Sequence, residues 1–181
     1  MHNAPMKIDR PGKNEYDAAF ERYVSRVPED DALPALGRQP SEIRAALGGL
    51  PAERAAYRYA PGKWSVRELL GHVTDSERVF GYRALCVARG DAASLPAFEE
   101  NDYAANAGHD RYELADLVAE FETVRRANVS MLTHLDQKSV LRIGTANGLP
   151  ISVRALAYIM VGHVRHHLAV LADKYGIPGR A

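Results

Sequence analysis

The chain has 181 residues, 46% of them hydrophobic and 25% charged, and its 23 Lys and Arg balance 23 Asp and Glu. That length suits one domain able to bury about 70% of the surface its unfolded form exposes, and the composition excludes wholesale disorder. Zero formal charge gives no support to a nucleic-acid-coating or membrane-surface role, and a single cysteine, Cys86, excludes a disulfide framework or a Cys-rich zinc module.

The first 13 residues are polar and broken by Pro5, Pro11 and Gly12, and they read as a flexible arm. They contain no apolar stretch of the kind a secretion signal needs. No apolar run reaches the roughly 18 residues that span a bilayer. The expectation is therefore a single cytoplasmic domain over 14–176, with a short tail at 177–181.

Helical patterning begins in EYDAAFERYVSRV and stops before Pro28. A second helix is predicted over PSEIRAALGGL, with Ser41 as its N-cap and Gly48-Gly49 as its stop. After the Pro61-Gly62 turn comes WSVRELLGHVTDSERVFGYRALCVARG. Ser65 and Glu68 there form a capping box, Val66, Leu69, Val73, Phe80, Ala84 and Val87 share one stripe, and Gly90 closes the helix. DAASLPAFEENDYAANAGHD reads as a loop, rich in acids and aromatics for a connector. A third long helix covers RYELADLVAEFETVRRANVSMLTHLD, and VLRIG is briefly extended before the Asn147-Gly148-Leu149-Pro150 turn. Ser152 then caps ISVRALAYIMVGHVRHHLAVLADKYG, which Gly176 and Pro178 terminate. Long amphipathic helices without sustained period-2 alternation make an all-α helical bundle.

His163 and His167 are four residues apart, so they share a helix face, and they fall within the stripe of Val153, Leu156, Met160, Val164 and Leu171. His72 lies at the edge of the corresponding stripe on the Ser65-capped helix, beside Leu69 and Val73. Imidazoles in an apolar core need partners for their nitrogens. A divalent metal held by the helical pair and by a third histidine from a facing helix provides them and leaves coordination positions open for chemistry. Core histidines satisfied by neighbouring side chains or carbonyls are the plainer reading of the same spacing. His166 points away from the face and reads as a rim residue; His2, His109 and His134 fall in the arm, a loop and a helix end. Asp75 and Glu77 are the nearest candidates in sequence for carboxylates that orient a ligand or handle a proton, against the plainer reading of solvated helix charges. Trp64 reads as a packing anchor, Cys86 as a mostly buried thiol, and Arg78 and Arg83 as surface ion-pair residues.

YRYAPGKWSVRELLGHVTDSERVFGYRAL and GLPISVRALAYIMVGHVRHHL, with LPAFEENDY between them, resemble the helix and loop motifs of the DinB-like family of four-helix bundles. The resemblance implies a four-helix bundle of DinB-like type whose metal triad, one His on the second helix and two on the fourth, maps to His72, His163 and His167. It implies zinc, nickel or another divalent ion and a homodimer. It also implies kinship with thiol transferases using bacillithiol, mycothiol or glutathione and with metal-dependent hydrolases. The expected function is activation of a low-molecular-weight thiol cosubstrate or of water against a small electrophilic substrate, making a thiol S-transferase or a hydrolase. Asp75 or Glu77 would handle the proton, and the Phe98–Tyr103 loop would close over the mouth of the site. No nucleic-acid or membrane partner is expected. The alternative is a non-catalytic, stress-related metal-binding bundle.

Overall fold

Ser65 starts the longest helix by the reciprocal bonding its sequence predicts: its hydroxyl accepts from the Glu68 N–H at 3.0 Å, and the Glu68 carboxylate accepts from the Ser65 N–H at 2.9 Å. The computed structural model describes residues 6–179. Its helices are α1 (Glu21–Val24), α2 (Ala32–Leu47), α3 (Ala52–Ala55), α4 (Val66–Arg89), α5 (Glu100–Ala107), α6 (Leu114–Thr133), α7 (Gln137–Val140) and α8 (Val153–Tyr175). Its strands are β1 (Ser94–Leu95), β2 (Ile143–Ala146) and β3 (Leu149–Ser152). Gly90 and Gly176 end α4 and α8 in the left-handed conformation, and the Ser152 hydroxyl accepts from the Ala155 N–H at 3.0 Å at the start of α8. Both helices carrying the candidate histidines therefore begin and end where their caps predict.

Other boundaries differ from the sequence reading. The second helix starts at Asp31, whose carboxylate accepts from the N–H groups of Leu33 and Ile8, each at 3.1 Å, and not at Ser41. It runs through Pro40 because Leu36, Gln39, Ile43 and Leu47 continue one buried face across the proline. That continuity outweighs the one backbone bond a proline forfeits. Residues 6–13, expected as part of a flexible arm, pack against the bundle: Ile8 is fully buried, and its carbonyl accepts from the Ala32 N–H at 3.1 Å. The remainder of the arm, with His2, lies outside the described residues. Beyond α8, Ile177 is also buried. The acidic segment 91–110 contains β1 and α5 where a loop was expected. β1 runs parallel to β2, which pairs antiparallel with β3 in the register Gly144↔Ile151, and the hairpin turns on Asn147 and Gly148, both at positive φ.

α6 and α8 each pack against both α2 and α4, which makes the four-helix bundle, and α1 lies along α8. Gly162 permits that close approach, since a Cβ there would stand 2.0 Å from the Tyr23 carbonyl oxygen. α8 is long and apolar enough to cross a bilayer by length and composition, yet 61% of that window is buried inside the bundle.

The core has two apolar clusters, one around Phe80, Leu132, Leu156 and Tyr158 and the other around Leu47, Leu70, Phe121 and Leu171. A polar layer accompanies them. Arg125 of α6, fully buried, donates to both Glu77 oxygens of α4 at 2.9 and 2.8 Å, to the Gln39 side chain of α2, and to the Met160 carbonyl of α8 at 3.3 Å. Gln39 in turn donates to the Val161 carbonyl at 2.8 Å, and Asn128 to the Glu77 carboxylate at 2.7 Å. One ion pair thus engages all four bundle helices. Glu77→Ala strands the guanidinium in the core and is expected to cost about 3–5 kcal/mol, read as the shift in urea denaturation midpoint against wild type.

Candidate metal centre

His72 lies two turns into α4, and His163 and His167 lie one turn apart midway along α8, at 4, 4 and 9% exposure. Their rings converge tip to tip. The Nε2 atoms of His72 and His163 are 3.2 Å apart, those of His167 and His163 are 3.1 Å apart, and all three ligand atoms fall within 4.8 Å of one another. Aromatic rings fix the imidazoles from outside: Trp64 lies 4.7 Å from His72 between ring centroids, and Tyr23 and Phe80 stand edge-on to His163 at 5.2 and 5.8 Å. Tyr23 reaches this position because α1 rests on Gly162, immediately before His163.

Burial is the main cause of each ring's lowered basicity. The His72 pKa falls to about 4, and those of His163 and His167 fall well below the ordinary imidazole value. Neighbouring positive charge adds to the effect: His166 on His72, the two partner histidines, His166 and Arg125 on His163, and His72, His166 and Arg22 on His167. Three neutral rings with their tips together offer converging lone pairs, the donor set that binds a divalent metal. An ion held at 2.0–2.1 Å with tetrahedral angles separates its nitrogens by about 3.3 Å, close to the spacing observed here. The residues fit the ion. His167 Nδ1 is buried with no partner among the described residues, so the orienting bond usual for a ligand histidine is missing on that ring, and packing holds it instead.

The other sequence candidates lie elsewhere. Glu77 is committed to Arg125 and Asn128 in the polar layer, and Asp75 pairs with Arg78 at 3.3 Å. His166 is partly exposed against Tyr23, His109 packs over Gly71, and His134 contacts its own helix at the Ser130 carbonyl. Cys86 is half-buried. The carboxylate that does approach the centre is Glu100, whose Oε2 is 4.0 Å from His72 Nε2 while half its side chain remains exposed. It opens α5, capped by the Glu99 carboxylate accepting from the Asn101 N–H at 3.2 Å. Its signal was the Glu-Glu-Asn-Asp run, which reads equally well as solvated loop. The expected Phe98–Tyr103 loop is thus largely the first turn of a helix. Its Asn101 borders, with His167, Trp64, Tyr59 and Lys63, a cleft of about 260 Å³.

A family model described as the DinB superfamily matches residues 35–171. A protein of Geobacillus thermodenitrificans that carries the name of a metal-dependent hydrolase is 27% identical over 141 residues, covering 76% of this chain and 78% of that protein. The structure of YfiT from Bacillus subtilis, described as a probable metal-dependent hydrolase with an unusual four-helix bundle topology, superposes with a TM-score of 0.68. It covers 93% of this chain and 94% of its own at 15% identity, which establishes likeness of fold.

His163→Ala and His167→Ala are each expected to lose bound divalent metal in elemental analysis without loss of helical circular dichroism, whereas His166→Ala keeps a full equivalent. The lowered imidazole basicity sets a second expectation. A ring such as His72, with pKa near 6.5 in the unfolded chain and about 4 in the folded one, binds fewer protons when folded. Its contribution to stability is present above about pH 6.5 and is lost as pH falls toward about 4. Melting of chelator-treated protein from pH 7.5 to 4.5 should therefore show a steep drop in Tm, flattened when all three histidines are replaced by alanine.

Proposed function

Because the chain belongs to the DinB superfamily, we propose that it is a metal-dependent enzyme in which His72, His163 and His167 hold one divalent ion. Water or a low-molecular-weight thiol is activated there against a small electrophile, giving hydrolysis or S-transfer. The observation that carries this reading is the convergence of three buried, neutral imidazole tips beside a half-exposed carboxylate at the edge of a cleft. When bound, the ion would supply Lewis acidity, lowering the pKa of water toward neutrality or holding a thiol as its thiolate.

The chain's own groups supply the rest. Glu100, with Oε2 4.0 Å from His72 Nε2, accepts the nucleophile's proton and then returns it to the leaving group. This role passes to Glu100 from Asp75 and Glu77, whose charges are already paired. Trp64 and Tyr59 form an apolar wall against which a substrate body lies and which limits water at the reacting centre, and Asn101 offers an amide for orientation. The resemblance extends the reading to zinc or nickel as the ion and to a cytoplasmic homodimer, which elemental analysis, light scattering and cell fractionation check.

The metal-loaded protein should be assayed against activated esters and against haloaromatic or epoxide electrophiles, with and without thiol. Glu100→Gln is expected to lower kcat by about 10²–10⁴ while keeping its metal. Undiminished turnover in that variant removes Glu100 from the mechanism. Absence of turnover in every assay with a full metal equivalent supports the non-catalytic metal-binding alternative instead.

A further inference from the structure

The position on α4 expected to form a surface ion pair does not do so. Arg83 is 6% exposed and has no carboxylate within salt-bridge distance among the described residues. Its one hydrogen bond there runs from Nη2 to the Pro96 carbonyl at 2.7 Å, and Phe98 lies across its guanidinium at 5.8 Å. A buried charge without a partner is costly, and burial pulls the Arg83 pKa down. Arg125, more deeply buried in the same core, has a bidentate partner. The anchor to Pro96 uses one of five N–H donors, and the fork geometry left over is the one that matches a carboxylate.

Arg83 borders a cavity of about 210 Å³ formed where the N-terminal segment, the loop before α5 and the β2–β3 hairpin meet. Its walls include Phe20, Phe98, Leu149 and Ile151, and its polar groups include Asp17 and Asn147. An apolar cavity of about 150 Å³ holds benzene, so this one has room for a ring together with a small charged group. The cavity is separate from the histidines: Phe20 packs edge-on against Phe80 at 6.4 Å, and Phe80 lies between Phe20 and His163. Along α4, Arg83 stands eleven residues beyond His72, or about 16 Å.

We propose that this cavity is a second ligand site, taking a small monocarboxylate with an apolar or aromatic body whose carboxylate pairs with Arg83. The ligand supplies the missing counter-charge, and its body fills the apolar walls. Among the described residues Asp17 is the one acid on the lining, and its carboxylate accepts from the Ala19 N–H at 2.8 Å. It opposes the incoming anion and confines the carboxylate to the Arg83 side.

Benzoate and the neutral benzyl alcohol serve as probes in calorimetry and thermal-shift assays on the full chain. They are measured with wild type, with a His72→Ala/His163→Ala variant that removes the metal centre, and with Asp17→Asn and Arg83→Gln. Asn caps a helix as well as Asp does, and Gln keeps a donor for the Pro96 carbonyl. The expected result is one benzoate per chain, bound about tenfold or more tightly than benzyl alcohol, with affinity unchanged in the two-His variant. Asp17→Asn should tighten binding several-fold and Arg83→Gln should weaken it about tenfold. Equal binding of the two probes, or no benzoate binding, overturns the proposal, as does an Asp17→Asn affinity equal to wild type. Binding that disappears with the histidines overturns it too, because the carboxylate then sits at the metal centre, and the reading of that centre is left standing. If Arg83→Gln fails to fold, the wild-type probe comparison and Asp17→Asn still decide.

Discussion

The bidentate pair between Arg125 and Glu77 is the constraint around which this bundle is organised. Both partners are almost wholly removed from water, so each depends on the other and on the amide and carbonyl groups that saturate them. Those groups come from α2, α6 and α8. Sliding any one helix along its axis would break a bond to a buried charge, and apolar packing alone imposes no such penalty. The two apolar clusters make burial favourable, while the ion pair selects one register among the many that burial would accept.

That register is what the metal centre requires. His72 sits five residues before Glu77 on α4, and His163 sits three residues after Met160, whose carbonyl Arg125 contacts on α8. Fixing α4 against α8 at the ion pair therefore fixes the histidines against each other about one turn away. Ligand atoms have to meet within a few tenths of an ångström, a tolerance that helices held only by interchangeable aliphatic side chains would not keep. The same guanidinium also bears on the chemistry, since its charge joins burial in keeping His163 neutral. Arg125 thus aligns the ligands and adds to the neutrality of one of them, His163.

Signals that act locally were legible before the structure. Ser65, Ser152, Gly90 and Gly176 mark the ends of α4 and α8 by backbone chemistry that needs no tertiary partner, and a four-residue spacing places His163 and His167 on one face wherever the helix lies. Signals that depend on distant partners were not. Pro40 looked like a boundary because the buried face crossing it is defined by α6 and α8. Glu77 looked like a free carboxylate because its partner is 48 residues away, and Arg83 looked like a surface cation because nothing local reveals its burial. Ile8 looked like part of an arm because its place beneath Asp31 and Ala32 exists only in the folded chain. Glu100 failed for a further reason: an acidic run reads as solvated whether or not it begins a helix, and only the packing of α5 against α4 turns one of its carboxylates toward His72.

The centre accordingly divides between a fixed part and a lightly held one. Its three histidines stand on the two longest helices, both capped at each end and enclosed by the bundle. Its nearest carboxylate stands on an eight-residue helix of which Ala104 alone is buried, ending in a left-handed Gly108 and packed chiefly on α4. Few buried apolar contacts mean a low local opening free energy, so α5 can move away from the cleft without disturbing the ligands. Asn101 of that helix borders the cleft whose lining also includes His167 and the buried Leu69 and Tyr175, so one part of the cleft is lightly held and another belongs to the core. In the proposed mechanism this division keeps the metal-binding imidazoles on long, doubly capped helices, while the carboxylate proposed to carry the proton stands on the lightly buried α5, so that the two parts of the site do not depend on the same packing.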